Sequence, residues 1–323
     1  MRVTTPSLRQ KLELLRDVHV KDELIAGLLP HQSKPDTTLG PAALSRCQSN
    51  DSFPVDYLGA LLRLYGLRPP ALLETRRPEH RVWLDLVGEH DVAAFLARVR
   101  LLGGDVPKAA PAGSHWQHFL AEQRARADAL GQTHILVNRL DRPRASPAFS
   151  MRAVPFDSWA ADVKRRSPGL VLDAGERIAW MLTVGDLIRP QPSGELHLFA
   201  FYDASVDGNR LYIPLLPAPQ AEGVVLPETC TTGPFVAIPK DPKGRNCLEV
   251  DSGWDERALM VLVTDRPLEE DILEDTRLDG PIVPERLDLL AARLRDTKRQ
   301  PHGSWALMRL GYRVNQEGQS LAA

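Results

Sequence analysis

The sequence predicts an α+β multidomain chain: an all-α bundle over residues 1–78, a small α/β segment over 79–149, and an antiparallel β-sandwich with a terminal helix over 150–323. Three observations carry this expectation. Leucines recur at helical spacing through residues 5–75, the pattern changes character near residue 80, and residues 150–266 are short β-rich runs broken by Pro, Gly, Asp and Asn.

In the first segment, Leu8, Leu12 and Leu15 form one stripe, with Ser7 as the expected N-cap. Leu24, Ile25 and Leu28 mark a second helix that Pro30 stops. "LGPAALSRCQSN" reads as a third. Leu58, Leu61, Leu62 and Tyr65, spaced i, i+3, i+4 and i+7, mark a fourth that Gly66 closes.

Beyond residue 80, "RVWLDLV" alternates Val82, Leu84 and Leu86 as a strand does. Val92, Phe95, Leu96, Val99 and Leu102 share a helical face. "SHWQHFLAEQRARADALG" is a second helix and "HILVNRL" a second strand. "DRPRASPAF", residues 141–149, serves as the linker.

The third segment supplies "RIAWMLTV", "ELHLFAFYDAS", "NRLYIPLL", "GVVLP", "PFVAIP" and "RALMVLVTD" as strands, in the rhythm of a sandwich. Asp207-Gly208 is the expected hairpin turn. Leu287, Leu290, Ala291 and Leu294 mark the terminal helix, and "ALMRLGYRV" returns as a last strand.

Composition narrows the function. With 40 Lys and Arg against 42 Asp and Glu, no global basic field points to nucleic acid or an anionic membrane. Eleven basic against nine acidic residues over 1–80 leave that segment close to neutral too. Apolar stretches are strand-sized and the N-terminus carries no uninterrupted apolar region, so the expected location is the cytoplasm, with no membrane partner. Cys47, Cys230 and Cys247 make no CxxC pair and read as incidental thiols. His115 and His118 stand three apart, but no nearby Cys completes a metal set.

At residues 43–75 the chain resembles the second half of the Cro/C1-type helix-turn-helix domain of phage repressors and bacterial regulators. The likeness rests on Leu44-Ser45-Arg46, a polar turn in place of the family's Glu-x-Gly, then Pro54, Leu58, Leu61, Leu62, Leu64, Gly66 and Leu72-Leu73. It implies a DNA-binding helix seated in the major groove and a role in transcription regulation. The departures concern readout. A long insertion, "PHQSKPDTTLGPAA", separates Leu29 from Leu44, and Gly40, Pro41, Ala42 and Ala43 hold the positions that read bases without offering side-chain hydrogen bonds. Lys34, Ser45, Arg46, Gln48, Ser49 and Asn50 are the candidate DNA-binding residues, as phosphate contacts.

From Leu170 to Val314 the chain resembles a bacterial β-rich accessory domain of unknown function, found appended to caspase-like peptidases, kinases and other signalling or defence proteins. "LDAGERIAWMLTV", "GELHLFAFYDASVDGNRLYIPLLPAP", "AIPKDPKGRNCLEV" and "ALMVLVTDRPL" carry it, and it implies a binding module. Residues 80–106 have the look of the opening strand and helix of TIR-type domains, which in some bacterial defence proteins degrade NAD; residues 106–150 leave little room for the remaining strands.

Catalytic candidates are weak. Asp173 with Glu176, and the run Glu269, Glu270, Asp271, Glu274 and Asp275, read as solvated carboxylates. "DPKGRN" lacks a phosphate-loop frame, and Trp180 and Trp254 read as core or interface anchors. The expectation is a non-enzymatic regulatory protein without a cofactor. Its helical module binds DNA or protein, its sandwich binds a partner or ligand, and a homodimer fits as well. The alternatives are an adaptor of a bacterial signalling or defence system without DNA binding, and a divergent TIR-type NAD-degrading effector.

Overall fold

A computed structural model of the protein describes residues 1–15, 22–106, 109–130, 135–139, 170–182, 196–206, 209–216, 224–226, 236–238, 248–250, 256–264, 280–296 and 305–315. It has helices and a mixed sheet, an α+β protein, and divides into two compact units. One is Met1–Gln117 with Pro284–Arg299; the other is His118–Val283 with Gln300–Ala323.

The first unit contains β1 (Arg2–Thr4), α1 (Leu8–Glu13), α2 (Asp22–Gly27), β2 (Pro30–His31), β3 (Lys34–Thr38), α3 (Pro41–Ser49), β4 (Ser52–Pro54), α4 (Leu58–Leu64), α5 (Arg81–Val87), α6 (Val92–Leu101), the start of α7 (Ser114–Leu130) and α8 (Pro284–Arg295). It is not all-helical. β1 pairs with β4, and β2 with β3, in two short antiparallel ladders. The expected leucine stripes do form the core: Leu8, Leu12 and Leu15 from α1, and Leu58, Leu61, Leu62 and Tyr65 from α4 and its end, are all buried. Phe95 of α6 meets the Tyr65 ring edge-on at 5.0 Å.

Four local expectations change. Ser7 does not cap α1: its φ is 57°, its hydroxyl donates to the His90 carbonyl, and the Asp51 carboxylate accepts the Leu8 amide instead. On α2, Ile25 and Ala26 face inward while Leu24, and Leu28 just past the helix end, are exposed. "RVWLDLV" is helix α5, not a strand. A 3-10 turn begun by Pro78 leads into it, and Leu86 and Val87 are buried with Trp83 and Leu84 packed beside them, a spacing of three and four that suits a helix. Val82, which the alternating reading placed inside, is exposed. The strand on which the TIR-type likeness drew is therefore absent.

The longest-range difference is the place of α8. It packs on α6, and every residue from Arg286 to Leu294 is buried. Charge fixes its seat. Arg293 Nη2 lies 2.8 Å from Glu89 Oε2, with Arg98 Nη1 3.6 Å from the same oxygen. Lys11 Nζ donates to the Val87 and Glu89 carbonyls and lies over the Phe95 ring. Asp288 accepts the Gly113 and Trp116 amides, each at 2.7 Å, so a side chain from α8 caps the first turn of α7. The expected terminal helix thus belongs with the N-terminal unit.

The second unit contains the rest of α7, then β5 (Ile135–Arg139), β6 (Leu170–Asp173), β7 (Arg177–Leu182), β8 (Leu196–Val206), β9 (Asn209–Leu216), β10 (Val224–Leu226), β11 (Val236–Ile238), β12 (Leu248–Glu249), β13 (Glu256–Thr264) and β14 (Trp305–Asn315). One sheet has the order β10-β8-β13-β14-β6, with β9 also on β8; the other is built on β7, which pairs with β5, β11 and β12. The larger sheet is not wholly antiparallel, because β6 joins β14 in parallel. β5, assigned from the sequence to the α/β segment, pairs with β7. Trp180 of β7 reaches the larger sheet: its indole N–H donates to the Tyr202 hydroxyl at 2.9 Å, and its ring lies 5.2 Å from that of Tyr312. The linker at 141–149 and the turn at Asp207-Gly208 lie outside the described residues.

Gly104 is the tightest glycine. A Cβ there would stand 2.6 Å from the Tyr65 carbonyl oxygen and 2.7 Å from Val99 Cγ1. Gly104→Ala is expected to cost about 1–3 kcal/mol in urea unfolding, whereas Gly27→Ala, with nothing within 4 Å, should cost nothing.

Candidate functional site

The six residues singled out for DNA contact fall on two adjoining elements. Lys34 is exposed on β3, in a hairpin that leads through Leu39 and Gly40 into α3. Ser45, Arg46 and Ser49 are exposed on α3, Gln48 is half-buried, and Asn50 is exposed at the helix end, its N–H bonded to the Arg46 carbonyl. The Ser49 hydroxyl donates to the Ser45 carbonyl at 3.1 Å, so part of its capacity is used within the helix. Leu44 and Cys47 turn inward, leaving an outer face of Ala42, Ser45, Arg46 and Ser49.

The first turn of α3 holds Pro41, Ala42 and Ala43 after Gly40, with no side-chain cap. No side chain there can hydrogen-bond a base edge. The helices α2 and α3 are joined by a hairpin rather than a tight turn, closed at its base by the Leu39 amide on the Leu29 carbonyl. Gln32 holds that hairpin in place. Its side-chain amide donates to the Val55 carbonyl at 3.0 Å and accepts the Leu73 amide at 2.9 Å. Within "HQSK" nothing in the sequence pattern singled out this residue.

Two further features of this region escaped the sequence reading. Arg2 folds over α3, donating to Ser52 Oγ at 3.1 Å and to Cys47 Sγ at 3.5 Å. Burial pushes the Cys47 thiol up, with Arg2 and Arg46 opposing, which suits an inert core thiol. Leu24 of α2 and Leu28, one residue past its end and one turn away, are 49% and 40% exposed, and α2 packs on α3.

Several titratable groups elsewhere have structural partners. Glu176 Oε2 accepts the Asp173 amide at 3.1 Å, closing the turn between β6 and β7. His118 Nε2 lies 3.1 Å from Glu122 on the same helix, whereas His115 contacts Arg295. Among the described residues no group of three His, Cys, Asp or Glu could hold a metal, and no helix is long and apolar enough to cross a membrane. Cys230, Cys247, Trp254, the acidic run at 269–275 and "DPKGRN" lie outside the described residues. Burial raises the phenol pKa values of Tyr202 and Tyr312, and the Asp203 carboxyl is pushed up by burial against the opposing charges of Arg210 and Arg309.

No family model, curated protein or solved structure matches the chain.

Asp203 has a higher pKa folded than unfolded, so its stabilising protonated form is fully present below the usual carboxylate range and is lost as pH rises through the raised value. Asp203→Asn is therefore expected to melt above the parent at pH 7, a difference that closes below about pH 4 in thermal scans.

Proposed function

We propose that this is a non-enzymatic regulatory protein whose N-terminal unit is a protein-docking module and whose two-sheet body, read as a β-sandwich, is the accessory partner- or ligand-binding part. One observation carries the reading: Leu24 of α2 and Leu28, just past its end, stand exposed, and α2 packs on α3. Single exposed leucines are ordinary, but a pair one turn apart on a short helix is the kind of anchor that helix-mediated protein contacts use. This fits an adaptor of a signalling or defence system.

A second reading, DNA contact through phosphates, is favoured by the exposed Arg46 and Lys34 with Arg2 nearby. Two or three cations give weak, sequence-independent binding. A TIR-type activity has the least support, since residues 81–87 are helical.

The docking reading is tested with the full chain as bait, comparing wild type with Leu24→Glu/Leu28→Glu. A partner, or a second copy of the chain, retained by wild type and lost by the double variant is expected; equal retention by both contradicts it. Fluorescence anisotropy on duplex DNA at about 50 and 200 mM salt should show no salt-sensitive binding. Binding at low salt that Arg46→Ala weakens alike on every sequence would favour the second reading.

A further inference from the structure

We draw no further inference here: the strongest candidate, the exposed patch of Leu24 and Leu28 at the end of α2 with the open Gly27 backbone between them, belongs to the docking face already described, and nothing in the structure shows what covers it.

Discussion

Glu89 is a fully buried carboxylate in the short connection between α5 and α6, and the N-terminal unit is organised around satisfying it. An ionised carboxylate out of water is tolerated only when cations and hydrogen bonds surround it. Arg98 comes from α6 and Arg293 from α8, while its oxygen Oε1 accepts the His90 amide. Lys11 of α1 is held against the same connection through its carbonyls. One charge thus brings together elements that are nearly three hundred residues apart in the chain. Apolar burial supplies most of the driving force for packing these helices; the ion pairs specify which face of α8 meets α6 and at what height.

The same interaction bears on the candidate docking face. Lys11 positions α1, α1 packs on α3, and Asp51 at the end of α3 accepts the Leu8 amide that begins α1. Arg2 closes the other side of α3 by bonding Ser52 and Cys47. The outer residues of α3 and the neighbouring Leu24 and Leu28 therefore sit on a support anchored at Glu89. A face fixed in this way costs little entropy to bind, which suits recognition by shape.

Local pattern made the helices α1, α4, α6 and α8 and most strands legible, because their buried residues repeat at 3.6 or 2. Leu58, Leu61, Leu62 and Tyr65 are all core, as their spacing requires. "RVWLDLV" fits both templates, because Val82, Leu84 and Leu86 alternate while Trp83 stands three and four residues from Leu86 and Val87, and only the burial of Leu86 and Val87 with Val82 exposed decides for the helix. The hairpin inside "PHQSKPDTT" has no apolar alternation, since every residue of β3 is exposed, so no strand signal was present. The parallel β6–β14 pair, the pairing of β5 with β7 and the destination of α8 are long-range choices that local spacing does not encode. At the candidate face, the exposure of Ser45, Arg46 and Ser49 followed from the helical reading; the outward turn of Leu24 and Leu28 did not, because any leucine pair one turn apart looks like core.

The measurement that bears most directly on this account is a double-mutant cycle between Glu89 and Arg293 in the full chain, using Glu89→Gln and Arg293→Met and reading stability by denaturant unfolding. A coupling of about 2 kcal/mol or more is predicted for a buried pair that holds a helix in register. Additive effects, within about 0.5 kcal/mol, would contradict the claim that this ion pair seats α8 on the N-terminal unit.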